Sequence, residues 1–91
     1  MIILIDTEFV WYLSLFIKNM NPIEHLAVKS SKITSIGYNS EHQILEVQFK
    51  NGHLYRYQQV PDNFYIECMM APSVGQYFYD NIKDVFPYEI T

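Results

Sequence analysis

The chain has 91 residues, of which 49% are hydrophobic and 18% are charged, so its composition is that of one small folded domain and not of a disordered segment. Ten acidic against six basic residues give a net charge of −4, which argues against a strongly basic nucleic-acid module, since such modules usually have a pI above about 9. The single cysteine, Cys68, excludes an intramolecular disulfide and a cysteine-cluster zinc site, and it favours a reducing compartment, so we expect a cytoplasmic protein.

Residues 1–19 differ from the rest of the chain because they are strongly apolar. The uninterrupted apolar run covers only residues 9–17, whereas a membrane span needs about 20 apolar residues, so no stable span is expected. A signal peptide is a poor match, because no positive charge precedes the run and no small-residue cleavage site follows it. Three interpretations stay open: the segment packs on the domain, it is an interaction or membrane-surface element, or translation starts at Met20 and the domain is residues 20–91.

The next part of the chain predicts a three-stranded antiparallel meander. Residues 33–38 and 44–50 are predicted strands joined by a polar turn, and the second alternates apolar with polar side chains as a half-buried strand does. Residues 53–60 are rich in aromatic and β-forming residues and supply the third strand after an Asn-Gly turn. Such a sheet has one apolar face that must be covered, and we expect the helices that follow to cover it.

The length of the Asn-Gly turn determines which side chains face each other across the second and third strands. A two-residue turn places Val47 opposite Arg56 and buries an arginine beside a core valine. A three-residue turn places Val47 opposite Tyr55 and brings Tyr57 to the same face, which keeps apolar side chains together. We therefore predict the three-residue turn, with Gly52 in the left-handed bulge position.

Two short helices are predicted over the remainder of the chain. Pro61 suits a first helical turn, and the Ala-Pro pair at 71–72 ends that helix, because proline disfavours helical backbone in the residue before it. Ser73 and Gln76 have the spacing of a capping box, which starts a second helix that ends at residues 86–88. The apolar stripes expected to face the sheet are Phe64, Cys68 and Met69 in the first helix and Val74, Phe78, Ile82 and Val85 in the second. The predicted fold class is α+β, a three-stranded antiparallel β-meander covered by two short C-terminal helices.

Five short motifs stand in order along the body of the chain: SSKITSIGY at 30–38, LEVQF at 45–49, YRY at 55–57, VP at 60–61 and APSVG at 71–75. In this order they resemble the KTSC domain, a family named for its place at the C-terminus of some lysyl-tRNA synthetases and also found as short stand-alone bacterial proteins. The resemblance covers about residues 28–90 and leaves the N-terminal segment outside, which favours Met20 as the start. It implies a suspected RNA-binding module, with tRNA as a candidate partner and no established activity.

The candidates for RNA contact are cations and aromatic residues on or beside the predicted strands: Lys32, Lys50, Tyr55, Arg56 and Tyr57. Aromatic rings stack on bases and cations contact phosphates, so Tyr55-Arg56-Tyr57 forms a stacking platform if its rings are exposed. The predicted register instead buries both rings and leaves Arg56 on the opposite, solvated face with Glu46. We expect this face to extend to Lys32 and Lys50, and three cations diluted by Glu41 and Glu46 support only weak, salt-dependent binding.

Neither catalysis nor a cofactor is expected. His25, His42 and His53 have no spacing typical of metal ligands, and Cys68 lies among apolar residues without a partner that would stabilise a thiolate. Two alternatives to RNA binding stay open: a protein-interaction or homo-oligomer module with a tyrosine-rich surface, and a small-molecule or nucleotide pocket between sheet and helices. The tyrosines expected at that surface are Tyr65, Tyr77, Tyr79 and Tyr88.

Overall fold

A computed structural model describes residues 22–91, so the interpretations given above for residues 1–19 concern a segment outside the described residues. Within the described range the elements are β1 (His25–Ala27), β2 (Ile33–Asn39), β3 (Ile44–Phe49), β4 (Leu54–Tyr57), α1 (Asp62–Met70), α2 (Val74–Asn81) and β5 (Tyr88–Ile90). None of the helices in this range is both long enough and apolar enough to cross a membrane.

The strands form one antiparallel sheet in the order β1-β2-β3-β4-β5, and two helices follow β4 before the last strand. The α+β class is confirmed, but the prediction of three strands is wrong, because a further strand extends the sheet at each edge. Strand β1 pairs with β2 at one edge, and β5 pairs with β4 at the other. Each of these edge strands is only three residues long, so its local sequence carries little pattern of its own.

The hairpin of β3 and β4 has the predicted register, with Val47 opposite Tyr55. The turn between them has the predicted three residues, because the Phe49 N–H donates to the His53 carbonyl at 2.9 Å. Gly52 closes the turn with φ +97°, in the left-handed region that a glycine adopts without strain. The turn therefore confirms the prediction of which side chains of β3 and β4 share a face of the sheet.

The helices begin and end near the predicted signals. Pro61 occupies the N-cap position of α1 with extended backbone, and the helix ends before Ala71. The Ser73 hydroxyl oxygen accepts a hydrogen bond from the Gln76 backbone N–H at 3.2 Å, which caps α2. The Gln76 side chain donates to Asp80 instead of turning back to the cap, so only half of the predicted capping box forms.

Helix α2 ends earlier than the sequence pattern predicts. Phe78 and Ile82 of the predicted stripe are fully buried, but Val85 is 61% exposed, so its placement on that stripe is wrong. The chain turns back after the helix, and the Pro87 carbonyl accepts a hydrogen bond from the Gln58 N–H at 2.8 Å, beside the end of β4. Turns over residues 82–85 therefore take the place of the last helical turn, and β5 follows them to pair with β4.

The core lies between the two helices and one face of the sheet. Phe78 of α2 contacts the rings of Phe49 and Tyr57 on the sheet, at centroid distances of 5.8 and 5.5 Å. The buried side chains of this core are Ile33, Ile36, Leu45, Val47, Tyr57, Val60, Cys68, Phe78 and Ile82. The helices cover only this face of the sheet, and the side chains on the other face form a separate polar cluster.

Candidate functional site

Four of the five candidate residues line one cleft beside α2 and the β3–β4 turn, with a volume of about 390 Å³. Lys32 stands just before β2 and Lys50 just after β3, and the Lys50 N–H donates to the Lys32 carbonyl at 2.8 Å. The sheet register therefore brings these two cations together from separate strands. The lysine and tyrosine side chains that line the cleft are Lys32, Lys50, Lys83, Tyr55, Tyr57 and Tyr79.

The cleft collects positive charge in a protein that is acidic overall. Residues 22–91 contain four lysines and one arginine, and three of these five cations line the cleft. The Lys83 ammonium lies 3.6 Å from the Asp84 carboxylate, but Asp84 is highly exposed, so the pair is weak and solvent-screened. A net charge of −4 therefore does not describe the local field at this surface.

Tyr79 is the most exposed aromatic residue of the described chain, at 38%. It belongs to α2, one position after the buried Phe78, whose ring meets its own at 5.5 Å. The ammonium groups of Lys32 and Lys83 each lie 5.7 Å from the centroid of the Tyr79 ring, within the range of cation–π attraction. The cleft thus presents an accessible aromatic ring with two cations beside it.

Tyr55 and Tyr57 line the same cleft but offer much less ring surface. Tyr57 is 1% exposed, so its ring belongs to the core, as the predicted register implies. Tyr55 is half-buried, and its ring already contacts those of Phe49, Tyr57 and Tyr88, at 4.9, 6.3 and 5.4 Å. These two tyrosines therefore shape the cleft and leave little ring face on which a base could stack.

The Tyr57 hydroxyl is a polar group at the cleft that makes no hydrogen bond with another described residue. No buried side-chain oxygen of the described residues lacks both a partner and access to solvent, so this hydroxyl keeps some contact with solvent. Burial raises the pKa of Tyr57, and the neighbouring Tyr88 raises it further. At neutral pH the hydroxyl is therefore protonated and can donate to a ligand.

Arg56, the fifth candidate, lies on the opposite face of the sheet, away from the cleft, so the prediction that Lys32, Lys50 and Arg56 share one face is wrong. Its Nε donates to Glu46 Oε2 at 2.7 Å, and His25 Nε2 lies 2.8 Å from Glu46 Oε1. Glu46 is 7% exposed, so the expected solvated face is here an enclosed ion-pair network. The pairing register places His25, Gly37, Glu46, Arg56 and Glu89 in one line across the five strands, here called the polar row.

Gly37 gives the polar row the space that the His25 ring needs. A Cβ at Gly37 would lie 2.6 Å from His25 Cδ2 and 2.6 Å from the Glu24 carbonyl oxygen, closer than any side chain tolerates. His25 Nδ1 also lies 2.9 Å from the Ser35 hydroxyl, so the ring ties β1 to both β2 and β3. His25 thus lies in the edge strand β1. Residues 22–91 contain no cluster of three potential metal ligands.

Cys68 lies in the core at 0% exposure, and burial raises the pKa of its thiol to about 11. At pH 8 the thiol is therefore protonated and inaccessible, which makes it a poor nucleophile. We expect a thiol reagent such as Ellman's reagent to react slowly with the native protein and rapidly in denaturant. Rapid labelling of the native protein at pH 8 would contradict this placement.

The sequence patterns did not identify Tyr79 and Lys83 as site residues. Tyr79 was expected only at a tyrosine-rich surface, where it is indeed exposed, and Lys83 carried no prediction. Their one local signal is position: Tyr79 follows Phe78, which the helical stripe directs to the core, and Lys83 comes just after α2. This pattern indicates that Tyr79 and Lys83 lie near the edge of the helix–sheet contact. It does not predict that they lie close to Lys32 and Lys50.

These features define a small two-layer α+β domain with a basic, aromatic cleft at the join of its two layers. The KTSC domain model matches residues 29–86, more than half of the sequence, and the chain belongs to the KTSC domain family. The crystal structure of a KTSC domain protein from Yersinia pestis has a similar fold, with a TM-score of 0.72 and 35% sequence identity. That similarity covers 77% of this chain and 99% of the Yersinia chain, so the resemblance seen in the motifs is confirmed.

Curated relatives include both a short protein and much longer ones. An uncharacterised protein of Stutzerimonas stutzeri is 43% identical over 56 residues, which cover 62% of this chain and 79% of that protein. A lysine–tRNA ligase of Trichormus variabilis is 41% identical over 64 residues, which cover 70% of this chain and 11% of the ligase. The family module thus occurs both in a short protein and as a small part of a tRNA ligase.

Proposed function

We propose that this protein is a non-enzymatic RNA-binding module that holds RNA weakly in the cleft beside α2. The observation that carries the proposal is the concentration of three of the five described cations around an exposed tyrosine ring. Proteins that bind single-stranded nucleic acid usually combine cations that contact phosphates with aromatic rings that stack on bases. The relatedness to part of lysine–tRNA ligases supports tRNA as a partner, and with it the cytoplasm as location.

The cleft residues divide into two roles. Lys32, Lys50 and Lys83 contact phosphates, and the tyrosines supply ring surface and a hydroxyl donor. Arg56 contributes through the stability of the sheet, because its guanidinium is held by Glu46 on the other face. Three phosphate contacts give a modest salt dependence, with an affinity loss of about 20-fold between 50 and 200 mM salt for a single strand.

The proposal is tested by fluorescence anisotropy of labelled tRNA and short single-stranded RNA against the full chain at these two salt concentrations. We expect Lys32→Gln and Lys50→Gln each to weaken binding and to lower the steepness of the salt dependence by about 0.7–1 in log–log slope. Lys29→Gln is the matched control, because Lys29 is an exposed lysine outside the cleft and its loss changes the net charge equally.

Three results would count against the proposal. Equal weakening by Lys29→Gln and Lys50→Gln would show that net charge alone matters, and wild-type binding by both cleft variants would exclude the cleft. No saturable binding at micromolar protein and low salt would exclude RNA as the partner.

A protein-interaction module is the second candidate, and exposed apolar side chains of α1 favour it. Ile66 and Met70 stand four positions apart on this helix and are 53% and 79% exposed. Tyr65, Tyr77 and Tyr88 are each partly exposed, as expected for a tyrosine-rich surface. An apolar contact persists or strengthens with salt, whereas RNA binding weakens, so sedimentation at the two salt concentrations separates the candidates.

A further inference from the structure

We infer that the cleft takes one unpaired nucleotide of a single-stranded RNA, with its base stacked on Tyr79 and hydrogen-bonded by the Tyr57 hydroxyl. The inference rests on the proposed RNA-binding function and specifies the form of RNA that the cleft selects. It also assigns a role to Tyr79, which is not among the five candidate RNA-contacting residues.

The size of the cleft favours a single nucleotide over a duplex. Its volume of about 390 Å³ is at the low end of the range of about 300–1,000 Å³ that ligand pockets occupy. In a duplex the base faces are covered by their neighbours, so a duplex could reach the lysines but could not place a base against an aromatic wall. A base must leave the stack, or lack a partner, to use this cleft fully.

Tyr79 is the ring best placed for stacking. It is the most exposed aromatic residue of the described chain, whereas Tyr57 is buried and Tyr55 is already in contact with three other rings. The ammonium groups of Lys32 and Lys83 lie over this ring, 5.7 Å from its centroid, so a stacking base must displace an ammonium group from the ring face that it covers. The displaced lysine side chain is then close to the phosphate of the stacked nucleotide. Base and phosphate would therefore be held by adjacent side chains.

The Tyr57 hydroxyl is an independent indication of a polar ligand. The residue is 99% buried and lines the cleft, and its hydroxyl makes no hydrogen bond with any described residue. Binding of phosphates by the lysines alone would not require an unpaired tyrosine hydroxyl at the cleft. The edge of a nucleobase carries donors and acceptors and would satisfy it.

The test compares one RNA of about ten nucleotides, a length typical of single-strand sites, as a single strand and annealed to its complement, with the full chain at low salt. We expect the single strand to bind at least tenfold more tightly than the duplex. A 2-aminopurine base placed in the strand should lose fluorescence on binding, because stacking quenches it.

Variants of the two tyrosines identify the contacts. Tyr79→Ala should weaken single-strand binding by about five- to 150-fold, while Tyr79→Phe, which keeps the ring, should bind like the parent. Tyr57→Phe removes only the hydroxyl and should weaken binding several-fold. Circular dichroism melting of each variant establishes that the fold is intact.

Outcomes that overturn the inference differ from those that overturn the proposed function. Equal affinity for strand and duplex, or unchanged binding by Tyr79→Ala while Lys50→Gln binds less, would remove base stacking and leave a phosphate-binding cleft. A free mononucleotide that binds as tightly as the strand would replace RNA by a small-molecule ligand. Absence of binding to any RNA would remove the proposed function itself.

Discussion

Replacement of Phe78 by alanine is expected to lower the free energy of unfolding by about 3–5 kcal/mol. Phe78 is fully buried and its ring joins α2 to the sheet through Phe49 and Tyr57. The substitution removes this apolar surface and leaves a cavity where the two layers meet. Domains of this size have little stability in reserve, so the loss brings the protein close to unfolding at room temperature.

Urea denaturation followed by circular dichroism measures the effect of Phe78→Ala. Tyr79→Ala is the matched control, because it removes the neighbouring ring of the same helix from an exposed position and should shift the midpoint little. An unchanged midpoint for Phe78→Ala would contradict the placement of this helix face against the sheet.

The second large effect is expected at the polar row, where Glu46→Ala removes the carboxylate that both Arg56 and His25 contact. A hydrogen bond to a charged group contributes about 1.5–3 kcal/mol, and the enclosed arginine loses its strongest partner. The Arg56 side chain is 22% exposed, so water compensates in part. We expect a loss of about 2–3 kcal/mol in the free energy of unfolding.

Thermal melting of Glu46→Ala beside Glu41→Ala distinguishes this network from an ordinary surface charge. Glu41 is 82% exposed at its side chain and lies 3.7 Å from His42 Nε2, so its removal should change stability by no more than about 0.5 kcal/mol. Similar melting temperatures for the two variants would show that the polar row contributes nothing beyond surface electrostatics.

The strands that were predicted correctly are those long enough to show their period. Strand β3 has six residues and alternates clearly, and the three-residue turn that follows it sets the register of β4. Strands β1 and β5 are three residues long, which is only one and a half periods of the two-residue alternation of a strand. Their sequences therefore do not distinguish a strand from a loop. In addition, Pro87 indicates the end of a helix, although the residues that follow it form a strand that pairs with β4.

The site was predictable only where the sheet alone builds it. Tyr55 and Tyr57 follow from strand register, and so does the position of Arg56 opposite Glu46. Strand alternation instead assigns Lys32 and Lys50 to the face of Arg56, and they line the cleft because they lie just outside the ends of β2 and β3. Tyr79 and Lys83 reach the cleft through the packing of α2 on the sheet, a tertiary relation that local sequence patterns do not contain. The enclosure of Arg56 likewise depends on His25 and Glu89 in the two short edge strands.

Strands β1, β2 and β3 each pair with the strand that follows after a short loop, whereas β4 pairs with β5 only after both helices have intervened. Short loops cost little entropy to close, and the cost rises with the length of chain between the paired segments. The four-stranded meander can therefore assemble from local contacts in the first steps of folding. We expect β5 to add after the meander, so that β4 is the sheet edge of the partly folded chain and β5 is that of the finished domain.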